Sequence, residues 1–401
     1  MKNRLVPVVL LAMLACLFGH LAVGQTAELS TSAQAAEPLR IVSLPYLQNP
    51  SPDSMKVMWE TNQPCVGWVE YGEGASLDQK AVGSHHGLID ANEAFCKVPL
   101  TGLKPGTSYS YRAVSKAILK FNPYEVTFGE TTASETYSFT TPGPNRESVT
   151  FVSFNDLHAS KKLRDLLFPI AKQAPFDLAF FNGDLMSSVN SREHAVNHLV
   201  VPGAELCGGT VPFILVRGNH ETRGSYARKL MDVVATPDNR YYFSFDWGPV
   251  HFVVLDSGED KPDSDKEYSG LVDFDRYRDE ETAWLKQEVA SEAFARAPFR
   301  VAFMHMPLFG GGYGQQDCTK KWAELLNAGN VDLLVSGHTH KHEIVEPQPG
   351  VHAYPIIIGG GSEPGSATVI RVTATRDQLD VTMTGDNGET LATRQVKRRG
   401  E

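Results

Sequence analysis

Alternation of apolar and polar residues characterises residues 39–141. Within residues 54–60, large apolar side chains occupy every second position, at Met55, Val57 and Trp59. Because successive side chains of a β-strand point to opposite faces, this spacing predicts a strand with one buried face. The same pattern recurs between turn residues at 66–71, 98–100, 109–114 and 137–139. We therefore predict an all-β sandwich over residues 39–141.

The pattern changes after residues 140–145, where two prolines and a glycine end the last strand. Continuous apolar runs then alternate with segments of helical periodicity, which is typical of strands covered on both faces. The predicted strands are 149–154, 178–181, 213–216, 252–255, 301–304, 331–335, 356–358, 367–372 and 379–383, and the predicted helices are 163–170, 282–295 and 319–328. This order predicts an α/β domain over residues 148–390, followed by a tail at 391–401.

The first 24 residues have the composition of a signal peptide. Lys2 and Arg4 precede an apolar run, and the small residues Ala22 and Gly24 lie near the predicted cleavage site. We expect residues 1–24 to be removed, residues 25–38 to form a linker, and the protein to be exported to the periplasm or the extracellular space. A retained membrane anchor is the alternative. No later segment has the ~18 uncharged apolar residues that a span requires.

Net charge indicates which classes of partner are excluded, and the cysteines bear on the redox compartment of the protein. The formal net charge of −10 argues against nucleic acid as a partner, because an acidic surface repels polyphosphate. No pattern in the chain defines an oligomeric state. An exported chain enters an oxidising compartment, so we expect disulfides, with buried free thiols as the alternative. The expected pairs are Cys65 with Cys96 and Cys207 with Cys318.

Five polar clusters each follow an apolar run directly. They are Asp156-Leu157-His158, Gly183-Asp184, Gly218-Asn219-His220-Glu221, His305, and Gly337-His338-Thr339-His340. A buried strand holds its last residue rigidly, so side chains at several strand ends converge at one edge of a sheet. The glycines permit sharp turns that bring the following side chain inward. The clusters therefore predict one shared polar site.

In their order along the chain, these clusters resemble the signature of the calcineurin-like metallophosphoesterases. The resemblance implies an αββα sandwich, in which two mixed sheets are flanked by helices, and a site that holds two metal ions. It assigns Asp156, His158 and His340 to one ion, Asn219, His305 and His338 to the other, and Asp184 to both. Such oxygen and imidazole ligands suit manganese, iron or zinc, which would activate a hydroxide for attack on a phosphate ester.

Other residues near the clusters are candidates for substrate contacts. We expect His220 to protonate the departing alkoxide or to orient the phosphate, and a hydrogen bond to a ligand is the alternative. Arg217 or Arg223 is expected to bind a phosphate oxygen, with a surface ion pair as the alternative for each. Tyr313 follows a glycine-rich segment that we expect to act as a flexible substrate flap. The acidic stretch 256–281 is expected to be a solvated loop over the site.

The segment Leu103-Lys104-Pro105-Gly106-Thr107, followed by Tyr109, resembles the turn and tyrosine corner of a fibronectin type III-like domain. Such a domain before a metallophosphoesterase domain resembles the purple acid phosphatases. In those enzymes a glycine occupies the position of His158, and an iron-binding tyrosine occupies the position of Ser187. We therefore expect a colourless enzyme that uses imidazole where its relatives use phenolate.

Hydrolysis of a small phosphorylated substrate is the expected function. Phosphomonoesters are favoured, because the relatives with a β-sandwich domain are mostly monoesterases. A phosphodiesterase acting on a cyclic nucleotide or another diester is the alternative, since Asp-x-His is common as the first cluster of those enzymes. A secreted metal-containing binding module without turnover is an alternative of another class. The presence of His220 argues against it, because a purely structural site does not need this residue.

Overall fold

The alternating segments at the start of the chain form the predicted β-sandwich in the computed structural model, which describes residues 37–399. The predicted signal peptide and residues 25–36 of the predicted linker lie outside the described residues. The strands are β1 (Tyr46–Ser51), β2 (Ser54–Glu73), β3 (Gln79–Val82), β4 (Ser84–His85), β5 (Leu88–Ile89), β6 (Ala91–Thr101), β7 (Ser108–Asn122), β8 (Glu125–Ala133) and β9 (Tyr137–Thr140).

The long strand β2 joins the two layers of the sandwich. Its first part pairs with β6 and its second part pairs with β7, and the pairing is irregular around Cys65. Trp59 is buried between the layers, where its indole N–H donates to the Ser115 hydroxyl at 2.8 Å. The backbone N–H of Lys104 donates to the Tyr109 hydroxyl at 2.9 Å, which is the contact expected of a tyrosine corner.

Twelve further strands and six helices form the α/β part. The strands are β10 (Ser148–Phe154), β11 (Leu178–Asn182), β12 (Phe213–Val216), β13 (Phe243–Trp247), β14 (Val250–Val254), β15 (Phe299–Phe303), β16 (Leu333–Ser336), β17 (Glu343–Val345), β18 (Ile356–Ile358), β19 (Thr368–Thr375), β20 (Gln378–Gly385) and β21 (Thr390–Lys397). The helices are α1 (Lys161–Ala171), α2 (Arg192–Ala195), α3 (Val201–Cys207), α4 (Phe274–Glu288), α5 (Glu292–Arg296) and α6 (Tyr313–Ala328).

These strands form two mixed sheets, in the orders β12-β11-β10-β19-β20-β21 and β13-β14-β15-β16-β18-β17. A shared apolar core contains side chains from both sheets, and Phe180 of the first stacks on Phe303 of the second at 3.8 Å between ring centroids. Within each sheet, the strands that precede the polar clusters are parallel to one another, so they end at one edge of that sheet. The predicted α/β fold class is confirmed. Among residues 37–399, no helix is long and apolar enough to cross a membrane.

The prediction of a tail at 391–401 is wrong for most of that segment. Residues 390–397 form β21, which pairs antiparallel with β20, and the guanidinium of Arg399 lies 3.2 Å from the Asp332 carboxylate. β21 is an edge strand whose side chains are mostly exposed, with only Ala392 and Val396 packed against the core. Its sequence therefore has too few apolar residues for the alternation to identify a strand.

The predicted disulfides are also wrong for this structure, in which all four described cysteines are free and buried. Cys207 and Cys318 belong to separate hydrophobic clusters, so their thiols cannot meet without rearrangement of the fold. The sulfur atoms of Cys65 and Cys96 lie 3.5 Å apart, in contact but not bonded. Burial in the sandwich accounts for these thiols as small apolar side chains.

A buried histidine links the second sheet to its covering helix. The Nδ1 atom of His251 on β14 lies 2.7 Å from Asp246 on β13, and its Nε2 atom lies 2.9 Å from Glu288 on α4. Only the protonated imidazole donates from both nitrogens. Burial alone lowers the pKa of His251, but the two carboxylates outweigh it and raise the pKa above the ordinary 6.5. Burial raises the pKa of Glu288, but the hydrogen bond from His251 lowers it below 4.5 overall.

This bridge predicts a pH window of maximum stabilisation. The contribution of His251 is complete below about pH 6.5 and is lost as the pH rises through its folded-state pKa, whereas the contribution of Glu288 is lost as the pH falls below about 4.5. Within that window, His251→Gln should lower the free energy of unfolding by about 1–3 kcal/mol. The difference should shrink at alkaline pH. Urea unfolding across the pH range measures it, with the exposed His85→Gln as control, and a difference independent of pH contradicts the prediction.

Candidate metal centre

All seven predicted metal ligands meet at the edge of the two sheets where the parallel strands end. Asp156 and His158 follow β10, Asp184 follows β11, Asn219 follows β12, His305 follows β15, and His338 and His340 follow β16. The first three strands belong to one sheet and the last two to the other. The packing of the two sheets therefore brings the ligands together from opposite sides.

The first group of ligands contains Asp156, His158 and His340, whose donor atoms all lie within 4.8 Å of one another. His340 Nε2 lies 3.3 Å from Asp156 Oδ1, and the Nε2 atoms of His158 and His340 lie 3.2 Å apart. Two imidazoles and a carboxylate that converge on one point form a ligand set suited to a transition metal.

The second group contains Asp184, His305 and His338, whose donor atoms also lie within 4.8 Å of one another. His305 Nε2 lies 3.0 Å from Asp184 Oδ2, and the amide oxygen of Asn219 lies 3.1 Å from His338 Nδ1. His305 Nε2 is also 3.9 Å from Asp156 Oδ1, so the two groups adjoin. The arrangement is compatible with two neighbouring ions, and the role of Asp184 as their bridge remains a prediction.

Hydrogen bonds orient the ligands and leave their coordinating atoms available. Asp156 Oδ2 accepts from the Asn155 amide at 2.7 Å and from the backbone N–H of His338 at 2.8 Å. Asp156 Oδ1 is buried and accepts no hydrogen bond from the described residues. His305 Nδ1 donates to the carbonyl oxygen of Asn182 at 2.7 Å, which directs Nε2 towards the carboxylates. A buried carboxylate oxygen without a donor fits a metal ion.

The electrostatics of the site favour bound positive charge. Burial lowers the pKa of His305, but Asp184 and Asp156 outweigh it and raise the pKa to about 10. Burial, together with neighbouring His305, lowers the pKa of His338 to about 4. The carboxylates thus attract a cation to the point where His305 lies. Metal ions and protons compete for such a place, so metal affinity should fall at low pH.

The backbone at the ligands is unusual. Five ligands have a positive φ, namely Asp156 (52°), His158 (43°), Asp184 (54°), His338 (71°) and His340 (57°). Aspartate and histidine are among the few residues enriched in this region, although each such conformation stores about 1–3 kcal/mol. Strain of this kind persists only where the surrounding structure fixes the backbone. Here it aims the ligand side chains at a common point.

Glu221 connects the loops that follow β11 and β12. Its buried carboxylate accepts from the backbone N–H groups of Asp184 at 2.8 Å, Leu185 at 2.8 Å and Gly218 at 2.9 Å. A Cβ at Gly218 would lie 2.4 Å from Asp184 Oδ1, so only glycine fits this close approach. Glu221 therefore holds Asp184 in place without being a ligand.

His220 lies beside the ligands. Its Nε2 atom is 3.8 Å from Asp184 Oδ2, and its ring makes an edge contact with His158 at 4.9 Å between centroids. The Nη1 atom of Arg223 lies 3.2 Å from His220 Nε2. The structure therefore brings His220 and Arg223 together at the site, as the sequence predicts, although their roles remain predictions.

Arg217 and Tyr313 make other contacts than the predicted ones. Arg217 pairs with buried Asp256 at 2.5 Å, and its guanidinium lies 4.0 Å from the centroid of the Tyr241 ring. Arg217 is thus held in a largely buried ion pair rather than a surface one, and phosphate binding by Arg217 stays a prediction. Tyr313 donates to Asp275 at 2.9 Å at the start of α6, and the structure shows no contact between Tyr313 and the ligands.

Two groups of supporting residues were not evident from the sequence. The acidic stretch 256–281 is not a solvated loop, since Asp256, Glu259 and Glu281 are buried within it. No local pattern identifies Asp256 and Glu259, because they pair with Arg217 and Arg223 on another segment. Asn155 donates to the carbonyl oxygens of Gly359 and Gly360 as well as to Asp156. The run of glycines directly after the apolar strand β18 was the available signal for this contact.

Comparison with known proteins agrees with this architecture. Residues 149–342 match the family described as Calcineurin-like phosphoesterase, and residues 42–141 match the family described as Purple acid Phosphatase, N-terminal domain. The resemblance to calcineurin-like metallophosphoesterases found in the sequence is therefore confirmed. In particular, the chain carries a purple acid phosphatase N-terminal domain followed by a calcineurin-like phosphoesterase domain.

Several individual relatives share both parts. Purple acid phosphatase 15 of Arabidopsis thaliana is 24% identical over 68% of this chain and 53% of its own length. Acid phosphatase type 7 of Mus musculus is 22% identical over 80% of this chain and 74% of its own length. The chain spans only 29%, 53% and 63% of the three plant purple acid phosphatases that it matches, which are numbers 23, 15 and 18 of Arabidopsis thaliana.

Solved structures show the same fold. A purple acid phosphatase isolated from yellow lupin (Lupinus luteus) seeds superposes with a TM-score of 0.64 at 15% identity, covering 88% of this chain and 74% of that chain. The structure of PhoD superposes with a TM-score of 0.57 at 12% identity, covering 90% of this chain and 94% of that chain. At these identities the likeness extends to the fold alone.

Because Glu221 holds the backbone at Asp184, replacing its carboxylate by an amide should weaken metal binding. In Glu221→Gln, an amide N–H replaces an oxygen that accepts backbone N–H groups, so one or more of these groups loses its partner. We expect metal affinity to fall about 10–100-fold and the free energy of unfolding to fall by about 1–3 kcal/mol. Metal titration and thermal unfolding measure both, with the exposed Glu193→Gln as control. Unchanged metal affinity in Glu221→Gln contradicts this role.

Ser187 and His158 predict the colour of the protein. Ser187 Oγ lies 3.4 Å from His158 Nδ1, so the position where purple relatives carry a tyrosine borders the first ligand group. The protein loaded with ferric iron should lack a tyrosinate charge-transfer band in its visible absorption spectrum. The double variant His158→Gly, Ser187→Tyr should gain such a band. A purple preparation of the unmodified protein would refute the expectation.

Proposed function

We propose that this protein hydrolyses phosphate esters at a site that holds two metal ions. The observation that carries the proposal is the pair of adjoining ligand groups, one with Asp156 and the other with Asp184, beside His220. Manganese, iron and zinc are the candidate ions, because the ligands are imidazoles and hard oxygens. We further propose export, on the pattern of residues 1–24 alone.

The residues of the chain have distinct tasks in this proposal. Bound ions would supply an activated water and polarise the oxygens of the substrate phosphate. Asp156 and Asp184 hold the positive charge, and His305 is fixed by its bond to the Asn182 carbonyl. His220 is placed to contact the phosphate or the departing oxygen, since it borders Asp184 without belonging to either ligand group.

Phosphomonoesters are the proposed substrates. The names of the relatives, purple acid phosphatase and acid phosphatase type 7, support a phosphatase. Phosphodiester hydrolysis is the second candidate, favoured by His158 at the position where purple acid phosphatases carry glycine. A binding module without turnover has less support, because His220 lies at the ligands and Arg223 contacts it.

Replacement of His220 and Asp184 separates catalysis from metal binding. His220→Ala should retain its metal ions and lose about 10²–10⁴-fold in turnover, as expected for a group that transfers a proton or orients the phosphate. Asp184→Ala should lose metal as well as turnover, because it removes a carboxylate from the second ligand group. Metal analysis by mass spectrometry and assays on phosphomonoesters and phosphodiesters measure these effects. The matched control is His85→Ala, at an exposed position. Equal turnover in the wild type, His220→Ala and Asp184→Ala would contradict the proposal.

A further inference from the structure

Arg223 holds one side of the His220 ring. It follows the short 3₁₀ turn His220–Thr222, and its Nη1 atom lies 3.2 Å from His220 Nε2. A guanidinium can only donate hydrogen bonds, so Nε2 must be the acceptor in this contact. The other nitrogen, Nδ1, then donates to the carbonyl oxygen of Ser187 at 2.9 Å. The ring is therefore fixed at both nitrogens, next to Asp184.

A buried carboxylate in turn holds Arg223. Glu259 accepts from Arg223 Nε at 2.9 Å and from Nη2 at 2.8 Å, which is the bidentate arrangement that orients a guanidinium best. Glu259 is 1% exposed and also accepts from the Thr222 hydroxyl at 2.7 Å and the Tyr268 hydroxyl at 3.1 Å. Asp260 accepts a longer bond from Nη2 at 3.3 Å.

These contacts leave one donor of Arg223 available. Nε and Nη2 are directed at Glu259 and Asp260, and one N–H of Nη1 is directed at His220. The second N–H of Nη1 has no acceptor among the residues that the structure describes. The Arg223 side chain is 29% exposed, and the contact of its Nη1 atom with His220 places that atom beside the ligand groups.

We propose that Arg223 is a positioning residue for His220 and a direct donor to a terminal oxygen of the substrate phosphoryl group, and that it confers preference for monoesters. This inference rests on the proposed phosphoesterase function. The phosphoryl group of a monoester has three terminal oxygens and up to two negative charges, whereas that of a diester has two such oxygens and one charge. A guanidinium beside the site therefore favours the monoester.

The test uses the full chain loaded with metal and compares Arg223→Met and Arg223→Lys with Arg228→Met. Arg228 is an exposed arginine on the same segment whose guanidinium donates to the Leu271 carbonyl, away from His220. Inorganic phosphate binding is measured by titration calorimetry, which does not depend on turnover. KM and kcat are measured on p-nitrophenyl phosphate and bis(p-nitrophenyl) phosphate, with and without added guanidinium.

The proposal predicts a selective loss. In Arg223→Met, phosphate affinity should fall about 10–100-fold, as for the loss of a charge-assisted hydrogen bond. KM for the monoester should rise by a similar factor, and added guanidinium should restore part of both. For the diester, kcat should fall because His220 loses its positioning contact, but KM should change much less than for the monoester. Arg223→Lys should lie between the wild type and Arg223→Met, because lysine keeps the charge but not the planar fork.

Three outcomes overturn the inference. These are phosphate affinity in Arg223→Met equal to that of Arg228→Met, equal rises in KM for the monoester and the diester, and no effect of guanidinium. If Arg223→Met does not fold, Glu259→Gln provides the same test, since it keeps the arginine but removes its clamp. Wild-type protein without turnover on either ester rejects the proposed function instead, and phosphate binding by the variants then still decides the role of Arg223.

Discussion

Two buried carboxylates, those of Asp156 and Asp184, impose the constraint on which the rest of the structure depends. Both are almost inaccessible to solvent, and an ionised carboxylate in such a place costs several kcal/mol unless donors or cations compensate it. Donors from Asn155 and from the backbone of His338 and His220 compensate them only in part. The imidazoles and the proposed ions supply the remaining positive charge. The site is therefore a region of negative charge buried at the edge of the two sheets.

The packing of the two sheets determines where that charge is held. Asp156 and Asp184 follow neighbouring strands of one sheet, whereas His305 and His338 follow neighbouring strands of the other. The stacked rings of Phe180 and Phe303 lie in the apolar core that the two sheets share. Because side chains alternate along a strand, a shift of one residue in either sheet would turn ligands away from the centre. The core thus stabilises the fold and also fixes the geometry of the site.

Features encoded locally could be predicted from the sequence. An apolar run followed by a polar cluster is visible in a few residues, so the main strands and the polar clusters at their ends were evident, and metal binding by these clusters stays a prediction. The edge strand β21 was missed because an edge needs few apolar residues. The left-handed backbone of the ligands and the separation of Cys207 from Cys318 arise from tertiary packing, which no short pattern records. Glu259 could not be assigned for the same reason, since it lies 36 residues from Arg223.

Arg217 and Arg223 show that tertiary contacts can give different roles to two residues of the same type in one loop. They flank one loop, and by position either could bind phosphate. In the structure, each forms an ion pair with a different carboxylate of the acidic stretch 256–281. Asp256 holds Arg217 against Tyr241, and Glu259 holds Arg223 against His220. A half-buried guanidinium beside two bound cations would be repelled without a compensating charge. Glu259 offsets that repulsion, so the acidic stretch holds Arg223 at the site.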